Sequence, residues 1–200
     1  MVGLLWCSVL IGHGQYWGGG IIVGFSASQI DGDSYGGYKK LGPLLGGFAR
    51  YEFDEKFSLQ PEIVFNQRGA REVTDATFYH VRINYIDVPV LLNYRAWSNG
   101  NQSLQLQAGP QFGVLLGATG AVGDRDNKVD ISSFYHRFDL NGVAGLDFYV
   151  TPNISVNGRF GYSIIRTNKN LTGSGNFGFR SRQVHKFVQF SLRYDLKPVQ

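Results

Sequence analysis

Histidines are the residues of this 200-residue chain that most readily supply acid–base chemistry or metal ligands, and there are four of them. They form no metal set, because the sequence holds no H-x-x-H or H-E-x-x-H spacing and its single Cys7 cannot complete a cluster. His80, His136 and His185 fall near one rim of the predicted fold, where a histidine, a serine and an aspartate would make a hydrolytic site. The residues that would build such a site are Asp130, Ser132, Ser133 and His136. Adjacency in sequence does not establish triad geometry, so hydrolysis stays an alternative.

Two other segments are similar to ligand-binding motifs. "GSGNFG" (173–178) matches G-x-G-x-x-G, but it lies in a long loop between predicted strands rather than between a strand and a helix. "DRDNKVD" (124–130) spaces three aspartates as a calcium loop would, yet Lys128 takes a ligand position and Val129 stands where the turn glycine belongs. We therefore expect two solvated loops and no cofactor, with a weak surface cation site as the alternative at 124–130.

Charged residues recur on the polar side of alternating segments such as "KFSLQPEIVFNQRGA" (56–70). A two-residue period is that of a strand with two unlike faces. If the polar faces lined a narrow barrel, six guanidiniums and five carboxylates would meet inside it, where buried charges persist only when paired. We expect this cluster to fill the interior and to set strand register, with a catalytic or proton-relay role as the alternative. Its members are Arg50, Glu52, Glu62, Arg68, Arg95, Arg137, Asp139, Asp147, Arg159, Arg193 and Asp195.

The composition is that of one β-rich domain without nucleic-acid-binding character. Hydrophobic residues make up 43% of the chain and charged residues 17%, below the typical charged fraction of about 25%. The 27 glycines and 14% aromatic residues are typical of β architecture with many turns. The net charge of +4 is spread along the chain, so nucleic acid is not an expected partner.

The first fifteen residues, "MVGLLWCSVLIGHGQ", resemble the apolar region of a signal peptide and are too short to span a bilayer as a helix. No Lys or Arg precedes the apolar run, which is consistent with a signal whose true start lies further upstream. We therefore predict an exported protein, with a signal peptide over 1–15 and a mature domain over 16–200.

Eight alternating segments predict eight strands. They are 17–27, 41–53, 56–68, 77–95, 102–118, 133–150, 153–167 and 184–196. Three connections are tight, at 54–55, 99–100 and 151–152, and four are long, at 28–40, 69–76, 119–132 and 168–183. Strict alternation of short and long connections indicates an up-and-down barrel. In the fourth strand the apolar parity changes near Tyr85, which predicts a bulge that swaps its faces.

We expect the apolar faces of the strands to contact lipid. The segments run about 11 to 19 residues, whereas a membrane crossing needs about 9 to 11 and ordinary strands peak near 5 or 6. The polar faces are rich in amides, Ser, Gly and Arg but poor in Lys, and aromatic residues lie near the segment ends. We therefore predict an all-β, eight-stranded antiparallel up-and-down transmembrane β-barrel of the bacterial outer membrane. A soluble lipocalin-like barrel, with the apolar faces inside, is an alternative.

The segment 166–186, which contains the last long connection, is basic. Its bases are separated by amides and no acid, so an outward loop would meet lipopolysaccharide phosphates through charge-assisted hydrogen bonds. A merely solvated loop is the alternative. The bases are Arg166, Lys169, Arg180, Arg182 and Lys186.

Four stretches resemble the PorT-like outer-membrane β-barrel proteins of Bacteroidetes. They are "LQPEIVFNQRGA" (59–70), "INYIDVPVLLNYR" (83–95), "LQAGPQFGVLLGA" (106–118) and "FVQFSLRYDL" (187–196). The resemblance covers nearly all of 17–196, and its Y-x-x-x-P-x-L-L and A-G-P elements are the most specific. It implies an eight-stranded outer-membrane barrel and transfers no catalytic residue. The family's namesake serves a protein-secretion and gliding apparatus.

These observations predict a non-enzymatic structural or interaction scaffold, accessory to protein secretion or to envelope maintenance. Expected partners are outer-membrane lipid, lipopolysaccharide and other envelope proteins, and the barrel is expected to be monomeric. The alternatives are an outer-membrane barrel enzyme acting on lipid or peptide, and the soluble ligand-binding barrel.

Overall fold

The computed structural model describes residues 16–31, 40–74, 77–122, 128–165 and 184–197. The strands are β1 (Tyr16–Asp31), β2 (Lys40–Glu52), β3 (Phe57–Thr74), β4 (Thr77–Asn99), β5 (Gln102–Val122), β6 (Val129–Asp130), β7 (Phe138–Thr151), β8 (Ile154–Ser163) and β9 (Val184–Asp195). One 3₁₀ turn, Ser132–Phe134, lies between β6 and β7. Within the described residues, no helix is both long enough and apolar enough to cross a membrane.

The eight long strands close into one antiparallel barrel. Each pairs with its neighbour in sequence, β4 pairs with β5, β5 pairs with β7, and β1 pairs with β9 to complete the ring. The two-residue β6 adds to the outer part of β5. The predicted eight-stranded up-and-down barrel is therefore confirmed, and its closed ladder leaves no free edge around the ring.

The two faces of the strands meet different surroundings. Ile63 is 65% exposed on the outside, whereas the adjacent Glu62 is 1% exposed on the inside. The same alternation sets exposed Leu106 against buried Gln107, and exposed Phe160 against buried Arg159. A polar interior with an apolar exterior excludes the lipocalin-like alternative, because that fold requires the apolar faces inside.

The tight connections agree with the predictions, whereas strands extend into the predicted long connections 28–40, 69–76 and 119–132. The three tight turns follow β2, β4 and β7, as predicted, and Gly100 takes a positive φ of 58° in the second of them. The predicted loop 69–76 is wrong, since β3 and β4 continue their ladder to the pair Thr74 and Thr77. In outer-membrane barrels the end that carries the tight turns faces the periplasm. The β3–β4 hairpin lies at the opposite end and therefore projects outward.

A bulge lies at the level where the apolar pattern of β4 changes. The extra residue is in β5, so the bulge alters which residues of β5 point inward. Asn84 pairs with Gly117 and Tyr85 with Leu115, so Leu116 is the extra residue. Inward positions of β5 are odd-numbered below the bulge and even-numbered above it. The prediction that the fourth strand swaps its faces is wrong, because the odd-numbered residues of β4 from Val81 to Asn93 stay inside.

The pattern of β4 changes because its surroundings change. In the outer part of the barrel the interior is an apolar cluster, which we name the outer cap: Val81, Ile83, Tyr85, Ala118, Ile131 and Tyr135. On the outside at this level Arg82 is exposed, and the Gln67 amide donates to Asn84 Oδ1 over 3.0 Å. Apolar residues inside and polar residues outside are the arrangement of a barrel end standing in water.

The start of the sixth predicted strand and the end of the seventh also differ from the predictions. The sixth predicted strand was expected to begin at 133, but residues 132–134 form the 3₁₀ turn and β7 begins at Phe138. This turn carries Ile131 and Tyr135 into the outer cap, and the Ala118 N–H donates to Ser132 Oγ over 2.8 Å. The seventh predicted strand, 153–167, ends at Ser163.

A single arginine on the outer surface distinguishes lipid from water around the barrel. Ile63→Arg should lower the unfolding free energy by about 2–4 kcal/mol in lipid vesicles, because a guanidinium would enter hydrocarbon. Val129→Arg, at an exposed apolar residue of β6, should change it by less than about 0.5 kcal/mol. Urea titrations followed by tryptophan fluorescence measure both, and equal effects would contradict a lipid-facing Ile63.

Candidate functional site

The barrel interior is organised around a carboxylate that receives two arginines. Glu62 of β3 accepts hydrogen bonds from Arg159 Nη1 and Nη2 over 2.6 and 2.7 Å, and from Arg193 Nη2 over 2.7 Å. Arg193 Nη1 also reaches Asp147 Oδ2 at 3.1 Å. Side chains of β3, β7, β8 and β9 therefore meet at one point, and the bidentate geometry is the strongest kind of charge-assisted contact.

A second ion cluster lies nearer the outer end. Arg68 donates to Asp87 over 2.6 Å and to Asp139 over 2.8 Å. Its guanidinium carbon lies 4.8 Å from the ring centre of Tyr85 and 4.3 Å from that of Phe187. One arginine thus neutralises two carboxylates while its faces pack on aromatic rings.

Amide side chains complete this outer cluster around Asp87. Asp87 Oδ2 accepts from Asn66 over 2.8 Å and from Gln111 over 2.9 Å. Asp87 is not among the charges predicted to face the interior, although its position between Ile86 and Val88 is that of an inward polar residue. Its neighbours explain the omission, because the run is otherwise apolar.

A third cluster closes the end that carries the short turns. Arg50 forms an ion pair with Asp195 and donates to the hydroxyl of Tyr149 over 2.6 Å. The Tyr149 hydroxyl in turn donates to Asp195 Oδ2 over 3.2 Å. This cluster joins β2, β7 and β9, so all three ion clusters link strands that are distant in sequence.

The structure brings most of the eleven predicted interior charges into these clusters. Those that are buried are Arg50, Glu62, Arg68, Asp139, Asp147, Arg159, Arg193 and Asp195. Glu52 and Arg95 are partly exposed at the periplasmic mouth, and Arg137 is exposed. Arg137 differs from the expectation because it precedes β7, at a level where Ile131 and Tyr135 already fill the interior.

Side chains also fill the space between the clusters. The cavity lined by Ile22, Glu62, Pro89 and Asn157, among others, has no room for a water molecule. Among the described residues, no group of three or more His, Cys, Asp or Glu side chains is placed to hold a metal ion. The arrangement therefore suits a rigid interior.

Two of the four residues considered for hydrolysis, Asp130 and Ser132, stabilise a turn instead. Asp130 Oδ1 accepts the N–H of Ser132 over 2.8 Å, and hydrogen bonds from Ser132 lower the pKa of Asp130. The Ser132 hydroxyl meets the backbone of Ala118, while Ser133 and His136 are exposed. His185 lies inside the barrel, edge-on to Tyr85 at 6.1 Å.

Several expected loop residues fall outside the described part of the chain. These are Arg166, Lys169, Arg180 and Arg182 of the basic loop, Asp124 and Asp126, and the motif 173–178. Residues 1–15, the predicted signal peptide, are also outside it. Lys186 belongs to β9 rather than to a loop, and its Nζ lies 5.8 Å from the ring centre of Tyr162.

Comparison with known proteins agrees with this geometry. A family model described as the outer membrane protein beta-barrel domain matches residues 13–169. The crystal structure of Ail, the attachment invasion locus protein of Yersinia pestis, has a TM-score of 0.53 at 19% identity, over 90% of this chain and 98% of that chain. The same protein in complex with the heparin analogue sucrose octasulfate gives 0.51 at 18% identity, over 90% and 99%. A search of curated proteins finds no match.

Removing the central carboxylate tests the interior ion cluster. Glu62→Gln should lower the unfolding free energy by about 3–5 kcal/mol, because two buried arginines lose their shared partner. Glu55→Gln removes an exposed turn carboxylate and should change the unfolding free energy by less than about 0.5 kcal/mol. Urea unfolding in vesicles measures both variants, and a small loss for Glu62→Gln would show that the cluster is dispensable for stability.

Proposed function

The chain belongs to the family of outer membrane protein beta-barrel domains, and from that premise we propose that it is a non-enzymatic scaffold of the bacterial outer membrane. The observation that carries this proposal is the filled interior. Glu62, Arg68 and Arg193 each bond to two or more interior side chains. Groups engaged in this way hold strands in place and are not free to move protons or to take substrate.

The packed interior also argues against transport. An eight-stranded barrel is just wide enough for its own side chains, and the central cavity here does not admit water. An ion would have to displace the Glu62–Arg159 and Arg68–Asp139 pairs in order to pass. The barrel therefore acts through its ends and its outer surface.

In this proposal the ligand-binding surface lies at the outer end of the barrel. The sequence there carries Arg166, Lys169, Arg180 and Arg182 in one connection without an acid between them. Guanidinium and ammonium groups suit phosphate and sulfate, so lipopolysaccharide phosphates or another polyanion of the cell surface are the expected ligands. The Ail complex holds sucrose octasulfate, which makes that compound a convenient probe here.

A role in protein secretion is a narrower form of the same proposal. It rests on the PorT-like stretches at 59–70, 83–95, 106–118 and 187–196. In this form the scaffold contacts other envelope proteins through its two ends. Affinity purification of the barrel from cross-linked outer membranes tests it, with co-purified secretion components as the supporting result and their absence as the contrary one.

The filled interior predicts an electrically silent protein. Purified barrel inserted into planar bilayers should give no stepwise channel currents. The salt is KCl at a concentration on the order of 1 M, which makes single-channel currents measurable. Insertion is confirmed on the same preparation by heat-modifiable gel mobility. Reproducible unitary currents from the folded protein would contradict a scaffold with a blocked interior.

Anionic ligands should bind at the outer end. Arg180→Gln combined with Arg182→Gln should weaken binding of sucrose octasulfate, and of lipopolysaccharide, by about tenfold, because two charge-assisted contacts are lost. Lys56→Gln with Lys197→Gln removes two exposed bases near the periplasmic end and should leave binding unchanged. Isothermal titration calorimetry in nanodiscs measures both pairs. Equal weakening by both would mean that net charge, not this loop, attracts the ligand.

A further inference from the structure

The periplasmic mouth holds a row of polar side chains next to the third ion cluster, which Glu52 contacts with its Oε1 3.9 Å from Arg50 Nε. Strand register places Glu52 opposite Ser58 and Ser58 opposite Asn93, on the inward side of β2, β3 and β4. Gln105 of β5 follows, paired with Arg95 of β4. All five residues line one pocket that opens at this end. The enclosed part of this pocket has room for about one water molecule or one ion of similar size.

Two oxygen atoms in this pocket lack partners. Asn93 is 1% exposed and Gln105 is 3% exposed, yet Asn93 Oδ1 and Gln105 Oε1 accept no hydrogen bond within the described part of the chain. A buried acceptor without a partner destabilises the fold. Arg95 Nε on the same pocket also lacks a partner, but its single N–H cannot fully satisfy both oxygens. The two oxygens together therefore point to a ligand that supplies positive charge or donors.

The central ion cluster fixes the direction in which Asn93 points. The carboxylate of Glu62 can only accept, so it takes a hydrogen bond from Gln60 Nε2 over 2.7 Å. Gln60 Oε1 must then accept, and Asn93 Nδ2 donates to it over 3.3 Å and to Ser58 Oγ over 3.1 Å. The remaining Asn93 atom, Oδ1, therefore presents a carbonyl dipole with its negative end in the pocket.

Carboxylates add negative charge at the opening. Glu52 lines the pocket with an 18% exposed side chain, and Glu55 is exposed on the adjoining turn. Asp54 is occupied differently, because its Oδ1 accepts the N–H groups of Lys56 and Phe57 over 2.7 and 2.8 Å, which lowers its pKa. Glu52 is thus the carboxylate best placed to meet a ligand held by the two amides.

We propose that this pocket binds one hard divalent cation of the calcium class, held by Glu52, Asn93 Oδ1 and Gln105 Oε1 with water at the open side. A carboxylate combined with amide carbonyls and water is a ligand set that Ca²⁺ takes in proteins. The site lies at the opposite end from the outer-end ligand surface and is independent of the proposed scaffold function.

Arg95 and Lys56 give the proposal a directional test. Both line the pocket, and their positive charges oppose a bound cation. We therefore expect a weak site, with a Kd on the order of 1 mM as in the weakest calcium modules. Removing the charge of Arg95 should therefore tighten cation binding, whereas removing the charge of Glu52 should weaken it. A substitution that merely loosens the barrel mouth would weaken binding in both cases.

The experiment uses EDTA-treated protein refolded in detergent free of lipopolysaccharide, so that no lipid phosphate binds the cation. Tb³⁺ luminescence excited through tryptophan, and its displacement by Ca²⁺, report occupancy. Glu52→Gln and Gln105→Met should weaken Ca²⁺ binding by about tenfold each, and Arg95→Met should tighten it by about threefold. Asp130→Asn removes an exposed carboxylate of the segment 124–130, the alternative cation site, and should leave the binding unchanged. Weaker binding in Asp130→Asn, with unchanged binding in Glu52→Gln, would place the cation in that segment instead.

Three results would overturn the cation site. They are no saturable Tb³⁺ or Ca²⁺ binding by the unsubstituted barrel, unchanged binding in Glu52→Gln, and weaker binding in Arg95→Met. Heat-modifiable mobility confirms folding of every variant before titration. If Gln105→Met fails to fold, the test rests on the half-buried Glu52 and Arg95. Weaker Ca²⁺ binding in Glu52→Gln together with tighter binding in Arg95→Met still supports the site, and any other combination contradicts it.

Discussion

Pairing of every backbone N–H and C=O inside hydrocarbon is the constraint on which the rest of this structure depends. Lipid offers no replacement hydrogen bond, so a β-structure that crosses the membrane has to close on itself. The pairing of β1 with β9 achieves that closure. Closure at eight strands then fixes the interior as a space only wide enough for side chains. The alternation of the strands makes the outer face apolar and leaves polar side chains to occupy that space.

Charges enclosed in such a space have to satisfy one another, and the three ion clusters do so. Glu62 with Arg159 and Arg193 joins β3, β8 and β9, while Arg68 joins β3 to β4 and β7. These links connect strands far apart in sequence and so oppose register slips, to which strands with period-two faces are otherwise prone. The same pairing leaves no open path through the centre. Function is therefore expected at the two ends, where side chains such as Glu52 and Arg95 reach solvent.

The sequence predicted the barrel because its signals were repeated. Period-two alternation and the order of short and long connections each recurred along the chain, and the tight turn at Gly100 has the residue that its positive φ requires. The predictions failed where the medium changes within one strand. In β4 the residues around Ile83 turn apolar because the outer cap replaces ions inside the barrel, while Arg82 faces water. From periodicity alone, that inversion is indistinguishable from a strand whose inward and outward residues exchange sides. The bulge at Leu116 and the carbonyl of Asn93 depend on cross-strand register and hydrogen-bond direction, which one strand's sequence does not contain.

The most direct test of this account measures which medium each face of one strand meets. Nitroxide labels are placed singly at each position of β8 from Ile154 to Tyr162, omitting Arg159 because it belongs to the central ion cluster. Their collision rates with oxygen, which concentrates in lipid, are then measured in vesicles by electron paramagnetic resonance. The account predicts high oxygen collision at Val156 and Phe160 and low collision at Ser155 and Asn157, alternating with a period of two. High oxygen collision at the polar positions, or no alternation, would contradict an apolar face in lipid around an ionic interior.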